Sequence, residues 1–157
     1  MPKMVPFLWF DNEAEEAAKY YCSIFKKSKI LQTTYYGPDM QKAEGTVLTV
    51  RFVLSGLEFV ALNGGPEFKF NQSISFAVSC ETQKEIDYFW KKLTAGGREN
   101  ACGWLTDKFG VTWQIVPFDT HKWISSKNQE KANRVLMALM TMKKLDMKTL
   151  QKAYTGK

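Results

Sequence analysis

Apolar and polar positions change period several times along this chain, and each change marks an element. "MVPFLWF" is an apolar run dense in aromatic rings and closed by Asp11-Asn12, which reads as a buried strand. Beyond it Ala14, Ala17, Ala18, Tyr21, Ile24 and Phe25 recur at helical spacing, and Asn12 with Glu15 is the expected capping box. "KILQTTYYG" and "TVLTVRFVL" are rich in β-branched and aromatic residues, and Ser55-Gly56 turns the second of them into "LEFVAL" as a hairpin.

The pattern then restarts. "SISFAVSC" reads as a strand, Thr82 with Glu85 as a capping box, and Ile86, Phe89, Trp90 and Leu93 as one face of a helix that stops at Gly96-Gly97. "ACGWLTD", a turn at 108–110 and "VTWQIV" form a further hairpin. An offset of 69 lays Tyr20-Tyr21 on Phe89-Trp90, and an offset of 54 lays Gly56 on Gly110 and Phe59 on Trp113. The halves read as a diverged duplication of strand, helix and strands. After Pro117 a capping box at Ser126 and Gln129 precedes Ala132, Val135, Leu136, Leu139 and Met140, a helix, and Asp146 caps a last short helix through Leu150 and Tyr154.

Composition narrows the class. With 45% hydrophobic and 24% charged residues in 157, the chain has one domain's worth of sequence and enough apolar side chains for a core. Neither a signal peptide nor a run of 18 apolar residues is read, so the expected location is the cytoplasm and no membrane partner is expected. Three cysteines without a C-x-x-C and a single histidine argue against a zinc or haem site. The net charge of +6 suggests nucleic acid until it is localised. Residues 1–120 carry 13 basic and 14 acidic side chains, whereas 121–157 carry 9 and 2. The excess sits on the solvated face of the last helices, and no nucleic-acid partner is expected.

Two βαβββ units together with "FLWFDNEAEEAAKYY", "ALNGGPEFKFN", "ISFAVSC", "CGWLTDKFGVTWQIVP" and "MALMTMKKLD" resemble the PhnB-like branch of the vicinal oxygen chelate superfamily, which includes glyoxalase I, bleomycin-resistance proteins and extradiol dioxygenases. The resemblance implies an α+β fold in which two βαβββ modules form a curled mixed sheet around a cavity, with C-terminal helices added. As one domain of 1–157, module one spans about 1–66, module two about 67–118 and the helices about 119–157. It also implies association as a homodimer.

Metal-using relatives place four ligands, usually His or Glu, in the cavity. Matching their strands puts Pro6, Val60, Ser73 and Gln114 at those positions, a set with neither an imidazole nor an anion. No metal and no cofactor are therefore expected. Strand alternation turns Thr112, Gln114 and Val116 inward and Trp113 and Ile115 toward the helix layer; Ser73, Ser75 and Ala77 share a face in the same way. Gln114, Ser73, Ser75, Thr112, Val60 and Glu58, with Phe68 and Phe70 as a lid from the "NGGPEFKFN" loop, are the candidate cavity residues for a small-molecule ligand. That loop also reads as a chain reversal. Cys102 and His121 form no evident Cys–His pair, and read as a small buried residue and a surface residue.

The favoured function is a metal-free small-molecule binding dimer. The alternative is a metal-dependent lyase, isomerase or dioxygenase with unconventional ligands such as Gln114 and Glu58. Whether the chain is an enzyme stays open at this stage.

Overall fold

A computed structural model describes residues 3–156 and divides into two compact units, one ending at Phe70 and one starting at Asn71. In the first unit the order is β1 (Phe7–Phe10), α1 (Ala14–Ile24), β2 (Lys29–Tyr35), β3 (Val47–Leu54) and β4 (Leu57–Asn63). The sheet order is β1-β4-β3-β2, with β1 and β4 parallel and the other pairs antiparallel. Ala14, Ala17, Ala18, Tyr21 and Ile24 are all buried, so the helical stripe read from the sequence is the buried face. Alanine at three of those positions lets the helix approach the sheet closely, and Tyr21 stacks on Phe52, which stacks on Phe59.

Helix α1 does not start as expected. Asn12 makes no capping bond; instead Asn63, at the end of β4, accepts from the Ala14 N–H at 2.8 Å while its amide donates to the Val47 carbonyl. One side chain thus satisfies an orphan helix donor and ties it to two strands. The glycines that follow are structural. A Cβ on Gly64 would overlap the Trp9 indole, whose N–H donates to the Gly65 carbonyl at 2.8 Å.

The second unit repeats the order: β5 (Phe76–Cys80), α2 (Gln83–Thr94), β6 (Arg98–Glu99), β7 (Trp104–Thr106) and β8 (Thr112–Pro117), paired β5-β8-β7-β6. The architecture is therefore the expected α+β one, with a four-stranded mixed sheet from each βαβββ module and helices at the C-terminus. Thr82 caps α2 through the Glu85 N–H, while the Glu85 carboxylate returns to the Glu81 N–H. In the 107–113 turn, buried Asp107 accepts from the N–H groups of Phe109 and Val111 and from the Trp113 indole at 2.9, 3.0 and 2.8 Å. That set of bonds is the physical content of "DKFGVTW".

Three helices complete this unit: α3 (Thr120–Ile124), which periodicity did not reveal, α4 (Gln129–Met140) and α5 (Met147–Thr155). Trp123, Val135, Leu145 and Leu150 form their buried cluster, against which Val116 of β8 packs. Asp146 caps α5 as read, but Asn128 rather than Ser126 caps α4, accepting from the Lys131 N–H. Leu136 and Met140, assigned above to the apolar stripe of α4, are exposed, because the helix turns Ala132 and Val135 to the cluster instead.

Candidate functional site

Each sheet has one face under its helix and one that this helix leaves open, although Val60 and Thr112 on it are buried and Val116 packs against the C-terminal cluster, and pairing registers show what shares each such face. Residues directly opposite on neighbouring strands point the same way. In the first unit this gives the row Phe7–Val60–Arg51–Gln32 across four strands. Beside it Glu58 accepts from Arg51 Nε and lies 2.8 Å from Nη2, while Nη1 donates to Gln32 Oε1 at 3.3 Å. Glu58, a candidate cavity residue in the sequence, is held by an arginine on the diagonal position of the next strand. Val60 is buried, and its N–H donates to the Pro6 carbonyl at 3.0 Å.

The equivalent row of the second unit is Ala77–Gln114–Trp104. Gln114 is half-buried between fully buried Trp113 and Ile115, which face α2 as alternation required. Its Nε2 donates to Ser75 Oγ at 2.8 Å, and its Oε1 accepts nothing from the described residues. The amide is anchored at one end and offers an acceptor at the other. Thr112, two residues earlier on the same face, is buried and its hydroxyl has no hydrogen-bond partner among the described residues. Arg98 lies opposite Thr106, which lies opposite Thr112, so its side chain stands at the edge of this same face.

Three placements differ from the reading of the sequence. The strand begins at Phe76, so Ser73 lies before it in an exposed turn, where the Asn71 carboxamide oxygen captures both its N–H and its hydroxyl. Asn71 thereby wins over strand continuation. Phe68 and Phe70 do not act together: Phe68 meets Trp9 edge-on at 4.9 Å, and Phe70 meets Phe10, which belongs to the buried side of β1, at 5.1 Å. Only Phe68 stays largely exposed. Arg51, Trp104 and Arg98 escaped the sequence reading, because only strand register brings them beside the candidates.

The donor set does not fit a divalent metal. Pro6 and Val60 supply no side-chain donor, the Ser73 hydroxyl is bonded to Asn71, and Gln114 is a neutral amide. Among the described residues no three His, Cys, Asp or Glu side chains gather. Burial keeps two of the three thiols, those of Cys80 and Cys22, in the protonated form that is a poor nucleophile. Burial pushes Cys80 up to about 12, the Glu85 carboxylate adding to the effect, and burial also raises Cys22. Cys102, with φ of 61°, is tied by its N–H to the Met142 carbonyl at 2.7 Å.

A separate pocket lies in the first unit among Asp11, Asn12, Glu15, Lys42 and Asn63. Lys42 crosses it from the 36–46 loop, donating to the Asp11 carbonyl and to Asn12 Oδ1. The ammonium already uses the polar groups there, and the feature reads as a clamp on the loop.

The family model described as 3-demethylubiquinone-9 3-methyltransferase matches residues 2–116. Among solved structures the chain is similar to the putative 3-demethylubiquinone-9 3-methyltransferase, PhnB protein, of Bacillus cereus. Identity is 35%, covering 73% of this chain and 98% of that one, with a TM-score of 0.67. A protein of Pseudomonas aeruginosa shares the fold at 19% identity over 74% of this chain and 98% of that one, with a TM-score of 0.62. So does the fosfomycin resistance protein FosX of Listeria monocytogenes, at 14% identity over 74% and 93%, with a TM-score of 0.50. No curated protein matches the chain.

Proposed function

The chain belongs to the 3-demethylubiquinone-9 3-methyltransferase family, the PhnB-like branch of the vicinal oxygen chelate superfamily, and from that premise we propose that it is a metal-free small-molecule binding protein acting as a homodimer in the cytoplasm. One observation carries the reading: Gln114 is held by Ser75 on a half-buried open face with its carbonyl oxygen unused and the half-buried Trp104 beside it. An amide fixed in place with a free acceptor, next to a flat apolar surface, is the local chemistry of a ligand site. The family's methyltransferase description finds no counterpart in the β1–α1 turn, which is Asp11-Asn12-Glu13. Methyltransferases of the doubly wound type present a glycine-rich turn after a parallel strand there. The metal-dependent alternative loses its carboxylate, since Glu58 is committed to Arg51.

Three free thiols suit a reducing compartment. Native mass spectrometry of the purified protein, wild type against Gln114→Leu, tests the reading. A retained small molecule that Gln114→Leu loses supports it. A stoichiometric divalent ion that Gln114→Ala removes would overturn it.

A further inference from the structure

The open face of the second sheet carries more unused polar capacity than Gln114 alone. Trp104 and Asn100 approach from one side, the Asn100 amide donating to Thr106 Oγ1 at 3.0 Å while the Trp104 indole N–H has no partner among the described residues. Arg98, exposed on β6, has no carboxylate: its neighbour Glu99 points to the other face and accepts from the Trp90 indole at 2.7 Å. The contrast with the first unit is chemical. Arg51 there is pinned by Glu58 and Gln32, whereas no described residue pins Arg98. A guanidinium without a partner among the described residues stands in the Thr106–Thr112 row, and two residues along the strands a half-buried indole stands opposite a free amide oxygen.

Each of these groups asks for something different. Gln114 Oε1 accepts and so requires an N–H or O–H donor, Trp104 offers a flat surface for a planar ring, and a guanidinium prefers a carboxylate that it can hold with two bonds. Arg98 and Gln114 lie on strands two spacings apart, about 10 Å across the sheet and about 7 Å along it, with Trp104 on the strand between them. A single ring with its acid and its donor at opposite ends spans that arrangement when the arginine side chain reaches inward. We infer that the second-sheet face takes an aromatic hydroxy acid, with the carboxylate on Arg98, the ring on Trp104 and the hydroxyl donating to Gln114. This inference rests on the small-molecule reading above and adds the class of ligand.

The test uses the full chain and three probes, 4-hydroxybenzoate, benzoate and phenol, titrated by calorimetry or ligand-observed NMR into wild type, Arg98→Gln and Gln114→Leu. Arg98→Gln should weaken 4-hydroxybenzoate and benzoate by on the order of tenfold and leave phenol unchanged, the loss expected for one charge-assisted interaction. Gln114→Leu should weaken 4-hydroxybenzoate and phenol and spare benzoate. If phenol binds wild type as tightly as 4-hydroxybenzoate and Arg98→Gln changes nothing, the acid assignment is overturned while the binding site stands. If none of the three probes binds, the ligand class is overturned, and native mass spectrometry then decides the broader reading by itself. Equal melting temperatures of the variants exclude misfolding as the cause of a loss.

Discussion

The two open faces occupy matching places in sheets of the same strand order, yet one is closed upon itself and the other is not. At the central strand the first unit has Val60 flanked by Phe7 and Arg51; the second has Gln114 flanked by Ala77 and Trp104. In the first, polarity lies to one side and is consumed there, because Arg51 donates to both Glu58 and Gln32. In the second, polarity is dispersed along the face and each group keeps an unused bond. The lesson is that the type of polar residue on a sheet face says little until its neighbours by register are known. A satisfied cluster adds to the framework, whereas an unsatisfied one of the same composition is available to a ligand.

The largest effects should come from the supports under each face, which differ between the units. Asp107→Ala removes acceptors from two backbone N–H groups and an indole inside the second unit, and should cost about 3–5 kcal/mol in urea denaturation. Asn63→Ala, which uncaps α1 and frees the Val47 carbonyl, should cost about 2–4 kcal/mol. A loss below about 1 kcal/mol for Asp107→Ala would show that water replaces its bonds and that the turn is not held from within.

The arginines test the comparison more directly. Arg51→Ala leaves Glu58, whose side chain is only 12% exposed, without its cation. Because the arginine itself is 28% exposed, solvent screens part of the loss, and about 1–2 kcal/mol of destabilisation is expected. Arg98→Ala should stay within about 0.5 kcal/mol, since nothing in the protein depends on it. Equal costs would break the contrast between a committed and an uncommitted guanidinium. Gln114→Leu falls between supports and surface: it should leave stability within about 1 kcal/mol of wild type, by exchanging one hydrogen bond for apolar contact, while abolishing retention of a ligand.

What could be read from the chain depended on how local each cause was. The α1 stripe and the inward–outward alternation of β8 follow from periodicity within one element, and both hold in the structure. The two-residue turn at Ser55-Gly56 is local as well, with both residues at positive φ. The cap of α1 was hidden, because its donor and acceptor are 49 residues apart. Ser73 lies three residues ahead of β5, since Asn71 offers its N–H and hydroxyl an Asx-type turn that strand propensity does not register. The commitment of Glu58 was equally hidden, for it requires the diagonal register of β3 on β4. The one charged candidate, Glu58, is therefore committed elsewhere, while the aromatic and the guanidinium beside Gln114 went unseen.

The finest test compares two threonines. Thr34 and Thr49 share a hydroxyl–hydroxyl bond of 2.6 Å across the open face of the first unit, while Thr112, on the corresponding face of the second, is buried with a hydroxyl that bonds to nothing. Valine has nearly the shape of threonine, so Thr→Val removes the hydroxyl and little else. Thr34→Val should cost about 0.5–1.5 kcal/mol, the net worth of an ordinary hydrogen bond. Thr112→Val should instead stabilise the free protein, by up to about 1 kcal/mol, because it deletes a desolvated hydroxyl that nothing compensates. Should Thr112→Val destabilise the chain as Thr34→Val does, a bound water or ligand must be satisfying that hydroxyl, and repeating the measurement with the protein stripped of ligand separates the two. A cost that persists after stripping assigns the partner to structural water, and one that vanishes assigns it to the ligand. Either result fixes which groups on the second face remain open for recognition.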